Sequence, residues 1–252
     1  PEEIAELMVG RRVLLRVEKG EAKPGDVRLQ VRDLVVKDEF GVDRVKGVSF
    51  DVRSGEIVGI AGVDGNGQSQ LLEAITGMAR PTSGEVSVNG KELAFTGDDG
   101  AALFRRAGVA HVPEDRQEQG LVVAFQQWEN AVLGYQDDPK YGAGIFMSLD
   151  DCKREAAAHV EKFDVRPANI NLKTSSFSGG NQQKVVLGKW LAQEPKVLLL
   201  DEPTRGIDVG AKAEIYALME ALARKGVAIV FVSSEMEEIL GMSDRTLVMH
   251  EG

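Results

Sequence analysis

The chain has 252 residues, 43% of them hydrophobic, with a formal net charge of −10 and a single cysteine. That length and apolar share suffice to bury a full core, as one large domain or as a domain with an inserted lobe, while the negative charge argues against broad affinity for nucleic acid or an anionic lipid surface. The lone Cys152 excludes an internal disulfide framework and a cysteine-built metal site, and no apolar run approaches the roughly 18 residues of a membrane span, so a reducing, cytoplasmic setting is expected.

Residues 1–26 are charged and carry Lys23, Pro24 and Gly25, which predicts a short helix followed by a linker. From Val27 the apolar residues alternate (Val27, Leu29, Val31) and do so again at Val48, Phe50 and Val52, the period of half-exposed antiparallel strands. A short apolar strand is expected at 56–61 and a helix from Gln70, ending near Gly77. A further alternating strand, 85–89, meets the tight-turn pair Asn89-Gly90, so a small antiparallel lobe comes first. Residues 97–106 look helical, and 108–112 read as a buried strand ending at Pro113-Glu114-Asp115-Arg116. Helical segments then follow at 130–134, 150–163 and 181–192, with Ser148 and Asp151 at capping-box spacing; they suggest an inserted helical lobe over about 113–192. The last third alternates strand 196–200, helix 211–224, strand 227–232, helix 235–240 and strand 245–249, a βαβ series that implies a mainly parallel sheet covered by helices.

Three motifs carry chemistry. Gly62-Val63-Asp64-Gly65-Asn66-Gly67-Gln68-Ser69 has the G-x-x-x-x-G-x-S spacing of a phosphate cradle between strand and helix, but Gln68 stands where lysine is wanted. The glycines let backbone N–H groups converge on an anion at the positive end of a helix, and Ser69 can reach a magnesium ion; the loop alone is equally readable as a glycine-rich turn. Val197 to Leu200 lead to Asp201-Glu202 at the carboxyl end of a parallel strand, where ligands gather. There Asp201 suits magnesium and Glu202 suits orienting or deprotonating a water, against a reading as acids that merely end a strand. Finally, Phe177-Ser178-Gly179-Gly180-Asn181-Gln182-Gln183 opens a helix and offers either a second anion site or an ordinary serine cap.

In this order, and with Pro203-Thr204-Arg205-Gly206-Ile207-Asp208 following, the motifs resemble the nucleotide-binding domain of an ABC transporter over about residues 27–252. The resemblance implies an α/β fold: a P-loop NTPase, RecA-like parallel-sheet core with an antiparallel β lobe and an inserted helical lobe. It implies ATP and Mg2+ as ligands. The nucleotide is then expected on Gly62, Asp64, Gly65, Asn66, Gly67, Gln68, Ser69 and Gln70, with Phe40 stacking on adenine and the metal near Ser69, Asp201 and Glu114. Glu202 takes the catalytic role; Glu114, Asp208 and Ser234 take coupling and dimer roles. Ser178, Gly179, Gly180, Asn181 and Gln182 match the family signature, which completes the site of a companion domain paired head to tail.

The Pro113-Glu114-Asp115-Arg116 and signature versions look like the simple-sugar and nucleoside importer branch, in which one polypeptide carries two such domains. Glu6-Leu7-Met8-Val9-Gly10-Arg11 resembles the segment joining them, so the chain is expected to be the second domain. The partners implied are that companion domain, transmembrane permease subunits at the cytoplasmic face of the plasma membrane and, indirectly, a substrate-binding protein, with no nucleic acid. The cradle version looks nearer the nucleoside branch.

The departures lie around one nucleotide: Gln68 replaces lysine, Glu114 a glutamine and Ser234 a histidine. A hydrogen bond to a charged group contributes about 1.5 to 3 kcal/mol and a neutral one about 0.5 to 1.5, so binding is expected to survive. Losing one preorganised donor costs about 2.7 to 4 kcal/mol at a transition state, so hydrolysis by this domain is expected to be slow or absent. A purely non-catalytic binding module is the alternative; an ABC-type ATPase of DNA repair or translation lacks the heptads and basic stripe it needs. His111, His159 and His250 are scattered without metal-ligand spacing, and Trp128 and Trp190 read as packing residues.

Overall fold

The structure is a computed structural model that describes residues 19–20, 22–94, 100–136, 138–143 and 146–252. The expected helix at the start of the chain, the segment Glu6 to Arg11 and residues 97–99 of the third expected helix lie outside the described residues. The chain divides into two compact units, one made of residues 1–111 and 195–252 and the other of 112–194.

The first unit holds two sheets. In the antiparallel sheet, strands β1 (Val27–Lys37), β2 (Asp43–Arg53), β4 (Ser83–Val88) and β5 (Lys91–Glu92) run in the order β2-β1-β4-β5. The alternation that marks β1 slips once: Leu29 and Val31 are buried, and so are Leu34 and Val36, three residues on from Val31 instead of two. A register shift between Val31 and Leu34 absorbs the extra residue. Asp33 adopts φ 44 there, its N–H donates to Ser49 Oγ at 2.7 Å, and Gly84 lies so close to its carbonyl that a side chain has no room. The bulge returns the apolar residues to the core face.

The second sheet has the order β11-β3-β10-β9-β6, formed by β3 (Ile57–Ala61), β6 (Val109–Val112), β9 (Val197–Asp201), β10 (Ala228–Val232) and β11 (Arg245–Val248). Its pairs β11–β3, β3–β10 and β10–β9 are parallel. Every residue of β3, β9 and β10 is buried, as continuous apolar runs must be when both faces of a parallel sheet are covered. Helix α1 (Gln68–Ile75) contributes Leu71, Leu72, Ala74 and Ile75 to one core cluster with Leu29, Val31, Val86, Val58, Leu199 and Val230, so a single core joins both sheets. Helices α2 (Gly100–Arg106), α6 (Val209–Arg224) and α7 (Met236–Met242) complete this unit.

The second unit is helical: α3 (Gln127–Val132), α4 (Leu149–Lys162) and α5 (Gly179–Leu191). Helix α3 starts three residues before the expected 130, because Gln126 and Glu129 form a reciprocal capping box. At α4 only half of the expected box exists: Ser148 accepts from Asp151 N–H, but its own N–H donates to Tyr141 O. Cys152 is buried on α4 with Val132 and Tyr141. A ribbon of β7 (Gly142–Ala143) and β8 (Phe146–Met147), unforeseen in the sequence, also belongs to this unit.

Candidate functional site

Chain direction puts the carboxyl ends of β3 and β9 on one edge of the parallel sheet, and the acids and the glycine loop meet there. The loop is closed on the carbonyl of Val63, which accepts from Asn66 N–H at 3.3 Å, Asn66 Nδ2 at 2.8 Å and Gln68 Nε2 at 3.2 Å. Gln68 is only 6% exposed, and its amide lies beneath Gly62, where a Cβ would stand 2.3 Å from Nε2. Gly67 has φ 100 and abuts the Arg44 carbonyl, so both conformation and space demand glycine. Asn66 also accepts from Glu251 N–H through its side chain and from Gly252 N–H through its carbonyl, anchoring the loop on the segment after β11.

The N-terminus of α1 has no side-chain cap and no acid in its first turn. Its first N–H groups, which no helix can satisfy internally, are thus offered to the loop's concavity. The Ser69 hydroxyl, in that first turn, lies near enough to the Asp201 carboxylate to favour its ionised form. Burial first, and then the charge of neighbouring Glu202, push Asp201 up to about 6, against the opposing effect of Ser69. Burial likewise raises Glu202, opposed by hydrogen bonds from Ser234. Ser234 donates to it twice, N–H to Oε1 at 2.5 Å and Oγ to Oε2 at 3.3 Å. Ser234 thus grips the candidate catalytic acid directly.

Hydroxyl and carboxylate oxygens are the hard donors magnesium takes, and that ion ordinarily binds through one or two carboxylates completed by substrate phosphates and water. The pair Ser69 and Asp201 fits this role, and among the described residues no cluster of three His, Cys, Asp or Glu side chains offers a fuller cage. Asp64 and Glu73 add their charges to those of Asp201 and Glu202. The pocket is therefore acidic, and an anionic ligand needs a cation with it.

The other expected residues are distributed as follows. Phe40 is 81% exposed at the tip of a turn tied down by Asp38, whose carboxylate accepts from Phe40 N–H, Val42 N–H and Arg44 Nε. Gln70 is half-buried on α1. Asp208 caps α6, accepting from Ala211 N–H at 3.0 Å. In the second unit Ser178 is exposed at the N-cap position of α5 but makes no capping bond; its Oγ accepts from Asn181 Nδ2 at 3.0 Å. Asn181 Oδ1 in turn accepts from Arg166 N–H at 2.7 Å. Gly179 and Gly180 open the helix beside it. Gln182 is buried, donating to Thr174 O and accepting from Gln117 Nε2, so it works inside the unit. Glu114 is half-buried in the same unit, beside the turn that Asp115 caps.

One group escaped the sequence reading. Glu238, on the core face of α7 with Ile239 and Met242, accepts from Thr204, Lys212, Tyr216 and Ser233. The available signal was an acid at a core-facing position of a short helix, with Lys212 and Tyr216 one turn apart on the preceding helix.

Comparison with known proteins gives a consistent set of relatives. The profile of the ABC transporter family matches residues 45–205. The ribose import ATP-binding protein RbsA of Chromobacterium violaceum is 46% identical over the whole chain, which covers 48% of that relative. The nucleoside import ATP-binding protein NupA of Lactococcus lactis subsp. cremoris is 42% identical, again over the whole chain and 49% of the relative. The chain thus spans about half the length of the curated relatives it matches. Among solved structures, a dimeric ATP-binding cassette, MJ0796, in a post-hydrolysis state with ADP and phosphate superposes with TM-score 0.76 at 24% identity, over 89% of this chain and 95% of that one. The cassette cbiO1 of Clostridium perfringens superposes with TM-score 0.72 at 24% identity, over 90% and 86%. These last two establish shared fold.

Proposed function

The chain belongs to the ABC transporter family, and from that premise we propose that it is the ATP-binding domain of an importer of nucleosides or simple sugars. The observation that carries the reading is the meeting of the Ser69 hydroxyl and the Asp201 carboxylate at the mouth of the glycine loop, with Glu202 beside them. Phosphates lie against the loop and the uncapped start of α1, Phe40 stacks on the base, and Ser69 with Asp201 holds magnesium. Held by Ser69 and Asp201, a magnesium ion would supply positive charge to offset that of the phosphates. Glu202 orients the attacking water, and Ser234 fixes the carboxylate that does so.

Lacking lysine, this cradle hydrolyses slowly. It is the degenerate half of a pair: Ser178, Gly179, Gly180 and Asn181 complete the nucleotide site of a companion domain, Asp208 faces that companion, and Glu114 lies where a transmembrane permease pair is sensed. Assembly is at the cytoplasmic face of the membrane, with a binding protein supplying substrate to the permease. The names of the relatives support the substrate class, and among the described residues no helix is long and apolar enough to cross a membrane.

The test is Ser178→Arg against Glu202→Gln in the assembled transporter. Ser178→Arg is expected to abolish most ATP hydrolysis, because it blocks the companion's site, whereas Glu202→Gln removes only the slow share. A Ser178→Arg transporter that hydrolyses ATP at the parent rate contradicts the division of labour. A transporter indifferent to Glu202→Gln favours the second reading, a non-catalytic nucleotide module; the engagement of the Gln68 amide on Val63 O speaks for that reading.

A further inference from the structure

Glu238 is a carboxylate in the interior, 6% exposed. Its oxygens accept from Thr204 Oγ1 at 2.8 and 2.7 Å, Ser233 Oγ at 2.8 Å, Lys212 Nζ at 2.9 Å and Tyr216 OH at 2.5 Å. All four partners are donors here, so only an acceptor with lone pairs on both oxygens satisfies them; an amide would turn an N–H2 group toward hydrogens. Burial pushes such a group up, but the hydrogen bonds from Tyr216, Lys212, Thr204 and Ser233 together hold it below the usual range. As packing, a buried charge is a poor choice, since apolar replacements of buried ion pairs are often neutral or stabilising.

Two of the four donors belong to the loops that frame Glu202. Thr204 is two residues after it, and Ser233 immediately precedes Ser234, which grips its carboxylate. Glu202 needs that framing, because it is a non-glycine residue at φ 44, a conformation that persists only where its surroundings over-determine it. Glu202 N–H donates to Val232 O at 3.1 Å and its carbonyl accepts from Arg205 N–H at 3.0 Å; Glu238 then pins the next stretch of each loop. We propose that Glu238 is a positioning residue for the hydrolytic step, locking the 201–205 and 232–234 loops together so that Ser234 presents Glu202 to the attacking water. This rests on the assignment of Glu202 under the proposed function.

The experiment compares Glu238→Gln, Thr204→Val and Thr204→Ser in the whole chain, by Mg-ATP affinity and by single-turnover hydrolysis with protein in excess. Glu238→Gln and Thr204→Val are expected to bind Mg-ATP within about twofold of the parent but to turn it over about 10- to 100-fold more slowly, the usual cost of losing a supporting partner behind a reacting group. Thr204→Ser, which keeps the hydroxyl, retains the parent rate, and the Thr204 pair carries the test if Glu238→Gln does not fold. Parent-rate turnover in both Glu238→Gln and Thr204→Val overturns the inference. So does a parallel fall in affinity and rate, the mark of a merely structural role. A parent chain that binds Mg-ATP yet never cleaves it removes the role of Glu238 while leaving the nucleotide site intact; a parent that does not bind Mg-ATP removes the underlying reading instead.

Discussion

Gln68 ends in a neutral amide, and that amide is spent on the Val63 carbonyl at 3.2 Å. A lysine at this position brings a charge to a pocket whose other charges, from Asp64, Glu73, Asp201 and Glu202, are negative. Replacing a neutral by a charge-assisted hydrogen bond is worth about 1 to 1.5 kcal/mol, so Gln68→Lys is expected to tighten ATP binding about tenfold. The same reasoning fixes the response to chelation: removing magnesium weakens ATP binding more in the parent than in Gln68→Lys, because the parent has no lysine to offset phosphate repulsion. Titration calorimetry with and without a chelator checks both. At this scale the sequence was informative where backbone sterics dictate residue type: Gly62 and Gly67 are glycines because nothing else fits. It was silent about Glu238, whose partners lie 5 to 34 residues away and meet it only through the packing of α6, α7 and two loops.

Among the elements, the strands of the parallel sheet were the most legible, since β10 is apolar throughout, β9 is apolar up to Asp201, and both end at motifs. Less legible were features set by single local bonds, such as the bulge at Asp33, the Gln126 and Glu129 box that starts α3 early, and strands as short as β7 and β8, which carry no period. Strand β6 holds a consequence for stability. His111 is buried, its Nε2 has no hydrogen-bond partner, and burial pushes the imidazole down to about 4 from 6.5. The native state stays neutral while the unfolded chain takes up a proton as pH falls below about 6.5, so stability drops with acidification from about 6.5 to 4 and is complete above that window. The shift implies a loss on the order of 2 kcal/mol between pH 7 and 5. Urea unfolding at the two pH values should show this slope in the parent and a shallower one in His111→Leu; equal slopes would count against a neutral buried imidazole.

Across the whole molecule, the division into a two-sheet unit and a helical unit separates the candidate chemistry into two sets. The cradle, Asp201, Glu202, Ser234 and Glu238 belong to the first unit; the signature residues and Glu114 belong to the second. The central claim concerns the first set: a site that keeps its nucleotide and has reduced its hydrolysis. Its most direct test is Mg-ATP binding and turnover measured on the same preparation of the chain. The account predicts saturable one-to-one Mg-ATP binding with turnover far below the roughly 10 per second of a median enzyme. Absence of saturable binding, or turnover by the chain alone at that ordinary rate, would contradict it.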